Sequence, residues 1–273
     1  MKKTALSAIF LAILVSCKRE SIEPTLPETN DQLLTKVIKT TTLGDGHSYD
    51  EVANYDYNEV GKVITEGSKS YMRDDKQRIV RILDQTSPIN RRDIQVYYSD
   101  SDPTKVAYTF CRVSGGDPAT DSIVYIHDGY GRLSKTMSYI HSFGGTYVTD
   151  TIFYYQHTVP DTTFLYQYTL FKYDDKGNVK QLDIYNLNIY GNPVHCKGYR
   201  FENYDNMVNP QYADDEVRMM EYSFDGIVNA SKNNFTSVGI YSKNYEYRKD
   251  GRPRSCAVNQ NGTPAFKLTF QYR

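Results

Sequence analysis

The stretch Phe171-Lys172-Tyr173-Asp174-Asp175-Lys176-Gly177-Asn178-Val179-Lys180 recurs in weaker copies along most of the chain, and no other feature restricts the fold as tightly. Its middle predicts a β-hairpin tip. Asp175-Lys176-Gly177 suits a three-residue loop, a type I turn closed by Gly177 in the left-handed conformation that glycine adopts at little cost. That geometry pairs Asp174 with Asn178 and Tyr173 with Val179. It puts Tyr173 and Val179 on one face and Lys172 and Lys180 on the other.

The copies are Tyr57-Asn58-Glu59-Val60-Gly61-Lys62-Val63, Arg73-Asp74-Asp75-Lys76-Gln77-Arg78-Ile79, His127-Asp128-Gly129-Tyr130-Gly131-Arg132-Leu133 and Tyr247-Arg248-Lys249-Asp250-Gly251-Arg252-Pro253. Gln77 replaces glycine in the second, and a left-handed glutamine costs roughly 1 kcal/mol, so that tip is expected to be distorted. The glycine positions 61, 77, 131, 177 and 251 are irregularly spaced, which describes related hairpins and not a strict solenoid. Gly44-Asp45-Gly46, Asp100-Ser101-Asp102-Pro103, Ser114-Gly115-Gly116-Asp117-Pro118 and Gly144-Gly145 punctuate the β-rich runs between them. Short turns joining roughly fourteen to sixteen strands predict an all-β antiparallel meander, either a curled sheet or a small barrel. Asn209-Pro210 followed by 213–220 predicts one short helix on an aspartate cap.

The 26 tyrosines and 11 phenylalanines, with no tryptophan, fit such a sheet. A tyrosine has an apolar ring and a wet hydroxyl, so it suits faces that are half buried. Exposed rings of this kind either stack on sugars or peptides or pack against one another across strands.

The N-terminus is of another kind. Lys2 and Lys3 precede an apolar run from Ala5 to Val15, too short to cross a bilayer and shaped like a signal-peptide core. Leu14-Val15-Ser16-Cys17 resembles the lipobox of bacterial lipoproteins, which implies cleavage before Cys17 and acylation of its thiol. The organisation expected is signal peptide 1–16, acylated Cys17 with a flexible tether through 32, and a single all-β domain 33–273. Cleavage leaves 257 residues (273 less 16) and takes the formal charge from −1 to −3 as Lys2 and Lys3 depart. A near-neutral chain has no electrostatic footprint for nucleic acid.

The Tyr-Asp turns, with Tyr204-Asp205-Asn206-Met207-Val208-Asn209-Pro210 and the run from Ser231 to Pro253, resemble the YD repeats of bacterial Rhs-type proteins. They resemble more closely the uncharacterised lipoproteins of Bacteroidetes whose hairpins form a porin-like antiparallel sheet. The resemblance covers about residue 50 to the C-terminus and brings no catalytic residue with it. Gln77 and Val208 depart from it where glycine is expected.

Chemistry-bearing residues are sparse. His47, His127, His141, His157 and His195 have no ligand spacing on one strand face, and His195 and Cys196 point to opposite sides, so no metal or cofactor is expected. Asp174, Asp175 and Asn178 do not match a calcium loop. Cys111, Cys196 and Cys256 allow at most one disulfide, a Cys196–Cys256 pair being the one considered, and buried free thiols are the expectation. No Gly-x-Ser-x-Gly elbow is present. The sequons at Asn229, Asn234 and Asn261 carry no meaning in a bacterial lipoprotein. Charges recurring within strands argue against a membrane-spanning barrel.

The expectation is therefore an outer-membrane lipoprotein, on the periplasmic or cell-surface face, held to the membrane by Cys17 and not an enzyme. Its role is to bind a glycan, peptide or envelope protein, or to serve as a scaffold. The alternative is a hydrolase of envelope or dietary glycans. A deep cleft with two facing carboxylates favours the hydrolase, a broad tyrosine-lined groove favours binding, and a large exposed apolar patch favours the scaffold.

Overall fold

The computed structural model describes residues 33–86, 91–114, 120–142, 147–149, 156–158, 162–188, 190–212 and 231–273. The signal segment, Cys17, the tether and the helix expected over 213–220 lie outside the described residues. The chain forms β1 (Leu34–Thr42), β2 (Ser48–Tyr57), β3 (Val63–Glu66), β4 (Lys69–Arg73), β5 (Ile79–Asp84), β6 (Arg91–Tyr98), β7 (Val106–Ser114), β8 (Thr120–His127) and β9 (Leu133–Ser142). There follow β10 (Tyr147–Thr149), β11 (Gln156–Thr158), β12 (Thr162–Tyr173), β13 (Val179–Leu187), β14 (Pro193–Val208), β15 (Asn233–Val238), β16 (Tyr241–Tyr247), β17 (Pro253–Gln260) and β18 (Thr263–Tyr272). Sixteen of these close an antiparallel barrel in which β18 pairs back onto β1, while β10 and β11 form a separate two-stranded sheet. The meander is closed, as the alternative of a small barrel required.

The Tyr-Asp turns join β2–β3, β4–β5, β8–β9, β12–β13 and β16–β17, and all lie at one end of the barrel because an up-and-down chain returns there at every second turn. In the founding copy Asp174 N donates to Asn178 O and Gly177 N to Asp174 O, at 2.9 and 3.1 Å. Asp174 Oδ1 accepts from the backbone N–H groups of Lys176 and Asn178. The aspartate therefore holds the turn from within, an Asx arrangement that glycine completes at φ 85°. Gln77 takes φ 64° and its tip is undistorted, with Asp74 N to Arg78 O and Gln77 N to Asp74 O both at 2.9 Å. Its side chain accepts a 2.6 Å hydrogen bond from Asn58 Nδ2, which offsets the backbone strain.

One register detail departs from the expectation. Tyr173 pairs with Val179, but Lys172 pairs with Gln181, so Lys180 is an unpaired bulge residue and does not oppose Lys172. The same bulge falls at Ile64, Val80, Ala107, Ser134 and Arg254, and at Thr35 where the barrel closes. A bulge adds twist at the rim of a barrel, and it recurs here in each Tyr-Asp hairpin, in the β6–β7 pair and at the seam.

The repeated residues clasp neighbouring hairpins together. Tyr98 Oη donates to Ile79 O, Tyr173 Oη to Leu133 O, Tyr57 Oη to Leu34 O and Tyr272 Oη to Pro253 O, at 3.0, 2.8, 2.8 and 2.9 Å. Each accepting carbonyl belongs to the apolar residue two places after the left-handed turn residue, Gln77, Gly131 or Gly251, or to its counterpart Leu34 at the barrel seam. Arg73, which stands where a tyrosine is expected, donates Nε and Nη2 to Val63 O instead. The turn arginine reaches the other way. Arg78 lies 4.4 Å from the Tyr98 ring centroid and Arg132 4.7 Å from that of Tyr173. Where Tyr and Arg recur with the turn, as at Tyr98 with Arg78 and Tyr173 with Arg132, one hairpin is fastened to the next by a hydroxyl and a cation–π contact.

Tyr204-Asp205 is the exception. It lies inside β14 with no turn of its own, in a bulge where Asn203 takes φ 55°. The turn instead starts at Asn209, whose N donates to Lys232 O. Tyr204 still reaches Val179 O, at 2.7 Å, so the clasp survives the missing glycine.

The interior is filled. Val37, Ile79, Ile82, Val106, Val179, Phe235, Val258 and Leu268 are fully buried and belong to one apolar cluster. Every barrel strand contributes to it, β16 through the half-buried Tyr245. Sixteen-stranded porins enclose water. Here inward polar groups are embedded in packing, as with Glu66, which accepts from Tyr55 Oη and Tyr71 Oη at 3.1 and 3.0 Å.

Candidate binding face on the barrel wall

Because Thr109, Tyr125, Thr136 and Thr169 point inward and are buried, the pleat turns their neighbours Tyr108, Val124, Met137 and Tyr168 outward. These four are in register. Tyr97 pairs with Tyr108, Tyr108 with Val124, Val124 with Met137, Met137 with Tyr168, Tyr168 with Tyr185 and Tyr185 with His195. The result is a row across seven adjacent strands, about 30 Å long at a strand spacing of about 4.8 Å. Phe110, Tyr139 and Leu165 flank it on one side, Ile126 and Leu170 on the other. Tyr97 and Tyr108 are 39% and 42% exposed.

The rings are mated in pairs. Tyr97 and Tyr108 stack with centroids 4.4 Å apart, and Tyr168 and Tyr185 with centroids 4.9 Å apart, each pair inclined by 13°. Cross-strand packing therefore takes one face of each ring, and the Tyr97 hydroxyl donates to Gln95 Oε1 at 2.7 Å. Arg112 lies 5.7 Å from the Phe110 centroid and Lys135 Nζ 4.6 Å from that of Tyr168.

The opposite wall is different. Asn54, Asp56 and Thr65 on β2 and β3, Ser242, Asn244 and Glu246 on β16, and Lys267, Thr269 and Gln271 on β18 alternate with inward core residues. These polar and charged side chains contrast with the apolar row on the other wall, although Val52, 48% exposed on β2, stands among them.

The residues singled out in the sequence scatter. Cys17 lies outside the described residues. Cys111 and Cys256 are buried and Cys196 is exposed, all three as free thiols, so no Cys196–Cys256 bridge forms. Cys196 is a bulge residue between the partners of Ile184 and Tyr185, in the stretch from Pro193 to Gly198 that is exposed throughout. His47 stands in the β1–β2 turn, His127 takes the tyrosine position of a tip, and His195 lies 3.5 Å from Asp183 Oδ1 on the outer wall. His141 and His157 are on β9 and β11. Among the described residues no three His, Cys, Asp or Glu side chains gather to hold a metal. Asp174 and Asn178 are consumed by their own turn and by Asn233. Asn234 is 1% exposed, which closes it to a glycan, Asn261 is in the β17–β18 turn, and Asn229 lies outside the described residues.

Sequence reasoning missed two features. One is a further Asx turn at the far end of the barrel, where Asn188 Oδ1 accepts from Tyr190 N and Asn192 N before Gly191 at φ 76°. The signal was Asn188 with Gly191 three places on, without the leading tyrosine. The other is the outer row, which only the register assembles.

No protein-family model matches the chain, and no curated protein matches it. Among solved structures, a porin-like protein from Bacteroides vulgatus overlays with a TM-score of 0.53 at 15% identity, covering 89% of this chain and 99% of that one. The two share the barrel fold. A porin-like protein from Bacteroides uniformis, at 13% identity, covers 92% of this chain and all of that one with a TM-score of 0.39. At such identities the likeness extends to the fold alone.

Proposed function

We propose that this chain is an outer-membrane lipoprotein, acylated at Cys17, whose barrel is non-catalytic and acts by binding through its outer wall. The observation that carries the reading is the aromatic row from Tyr97 to His195 on a barrel whose interior is occupied by side chains. A filled interior leaves the surface as the place for recognition. An exposed aromatic row of this length supports a surface that meets a partner. The polar opposite wall supports a barrel that stands in water beside the membrane, tethered by its N-terminus.

Two measurements test it. Labelling with a palmitate analogue should mark the wild type and not Cys17→Ala. Photo-crosslinking groups placed at Tyr97 and Tyr108 should capture envelope components in cells, while the same group at Asn244 should not. Equal capture from both walls, or none from the aromatic wall, contradicts the binding reading. An unlabelled wild type contradicts the anchor.

A further inference from the structure

Resting on that reading of the wall, we infer that the aromatic face docks on an anionic bilayer surface, with tyrosine edges and basic side chains engaging lipid headgroups. The argument is one of charge and shape. Around the apolar row stand Arg112, Lys135, Lys172 and Lys180, three of them exposed and Lys135 half-buried. Among the described residues the outward carboxylates of β6 to β13 are Asp93 and Asp183, and both are engaged. Asp93 takes two hydrogen bonds from Arg81, at 2.8 and 2.6 Å, and Asp183 accepts from Gln181 Nε2 at 2.6 Å. The wall is therefore basic on a chain whose formal charge is −1. Net charge alone gives this protein no attraction to an acidic surface, so attraction must come from this side and must orient the barrel.

The chemistry of the row fits the same occupant. Tyrosine favours the headgroup region because its ring is apolar and its hydroxyl is wet, and basic side chains add attraction to acidic lipid. Stacking takes one face of each ring in a pair, which leaves less open ring for a stacked sugar than for a headgroup layer. A second copy seated face to face would set Arg112 and Lys135 against their own kind.

The test uses a chain beginning at Thr29. It contains every described strand and the seam, where Arg273 N donates to Leu33 O and β1 pairs with β18, so the closed barrel does not depend on the residues before it. It also carries no lipid of its own. Vesicles of phosphatidylcholine, and of equal parts phosphatidylcholine and phosphatidylglycerol, are floated with it at low and high salt. The wild type should float with the acidic vesicles at low salt and with neither at high salt. Arg112→Glu with Lys135→Glu should bind at least about thirtyfold more weakly, from the attraction of two basic groups at an acidic surface. Lys36→Glu with Lys267→Glu, on the opposite wall, should bind as the wild type does, and melting curves show whether each variant is folded.

Equal flotation with both vesicle types, or equal loss from both double variants, overturns the inference. So does an absence of flotation. If flotation is absent and the wall variant instead loses an acidic glycan or protein on an array, the wall remains the binding face and the bilayer is the wrong occupant. If a folded wall variant loses nothing in either assay, the reading of the wall fails as well.

Discussion

Gln77 shows how one residue can break a local rule without breaking its turn. Its φ of 64° costs roughly 1 kcal/mol over glycine, and the hydrogen bond from Asn58 returns a similar amount. Gln77→Gly should therefore leave stability nearly unchanged in the wild type. In an Asn58→Ala background, where the side-chain bond is already gone, the same change should gain about 1 kcal/mol by urea unfolding. Equal effects in both backgrounds would show that the Asn58 contact carries no weight. The turn carboxylates give a second prediction. Burial raises the Asp74 and Asp128 carboxyls, but bonds from Arg78, Arg132 and turn N–H groups more than offset it, so both lie below their ordinary value of 3.8. The folded state thus holds these protons less readily than the unfolded chain. Their contribution is complete above that value and is lost as the pH falls below it. The melting temperature should lose this contribution only below about pH 4, and Asp128→Asn should flatten that acid limb.

At the scale of the hairpin, the recurring unit is a clasp as much as a turn. Tyr272→Phe would leave Pro253 O without its hydroxyl partner inside the barrel, at a cost of about 1–3 kcal/mol in urea unfolding. Tyr173→Phe should act alike through Leu133 O, and the two losses should add because the sites share no partner. An unchanged midpoint in both variants would mean that the clasps do not bear on stability. This scale also marks what the sequence made legible. Aspartate and glycine at fixed offsets encode the turn, so the pairing of Tyr173 with Val179 could be read directly. The bulge could not, because Ile64, Ala107, Ser134 and Lys180 share no side-chain property and the extra residue follows from the curvature of the whole wall. Tyrosine is ambiguous for the same reason. Tyr55, Tyr71 and Tyr125 face the core while Tyr97, Tyr108 and Tyr168 line the exterior, and composition cannot assign a ring to a side. The seam between Leu34 and Tyr272 joins residues from opposite ends of the chain and has no local signal.

At the scale of the molecule, the barrel shares its fold with a porin-like protein and packs its interior with side chains. Apolar side chains fill it, one wall is aromatic and basic, and the other is polar. All that is proposed for the wall depends on the interior being closed. The three thiols test this directly, because Cys111 and Cys256 point into the barrel at 5% and 0% exposure while Cys196 is exposed. Mass-resolved thiol labelling of the folded chain from Thr29 should modify Cys196 at the rate of a free thiol, and Cys111 and Cys256 only as fast as the barrel unfolds. Labelling of both inward cysteines at rates near that of Cys196, without denaturant, would mean a water-filled lumen and would contradict the account.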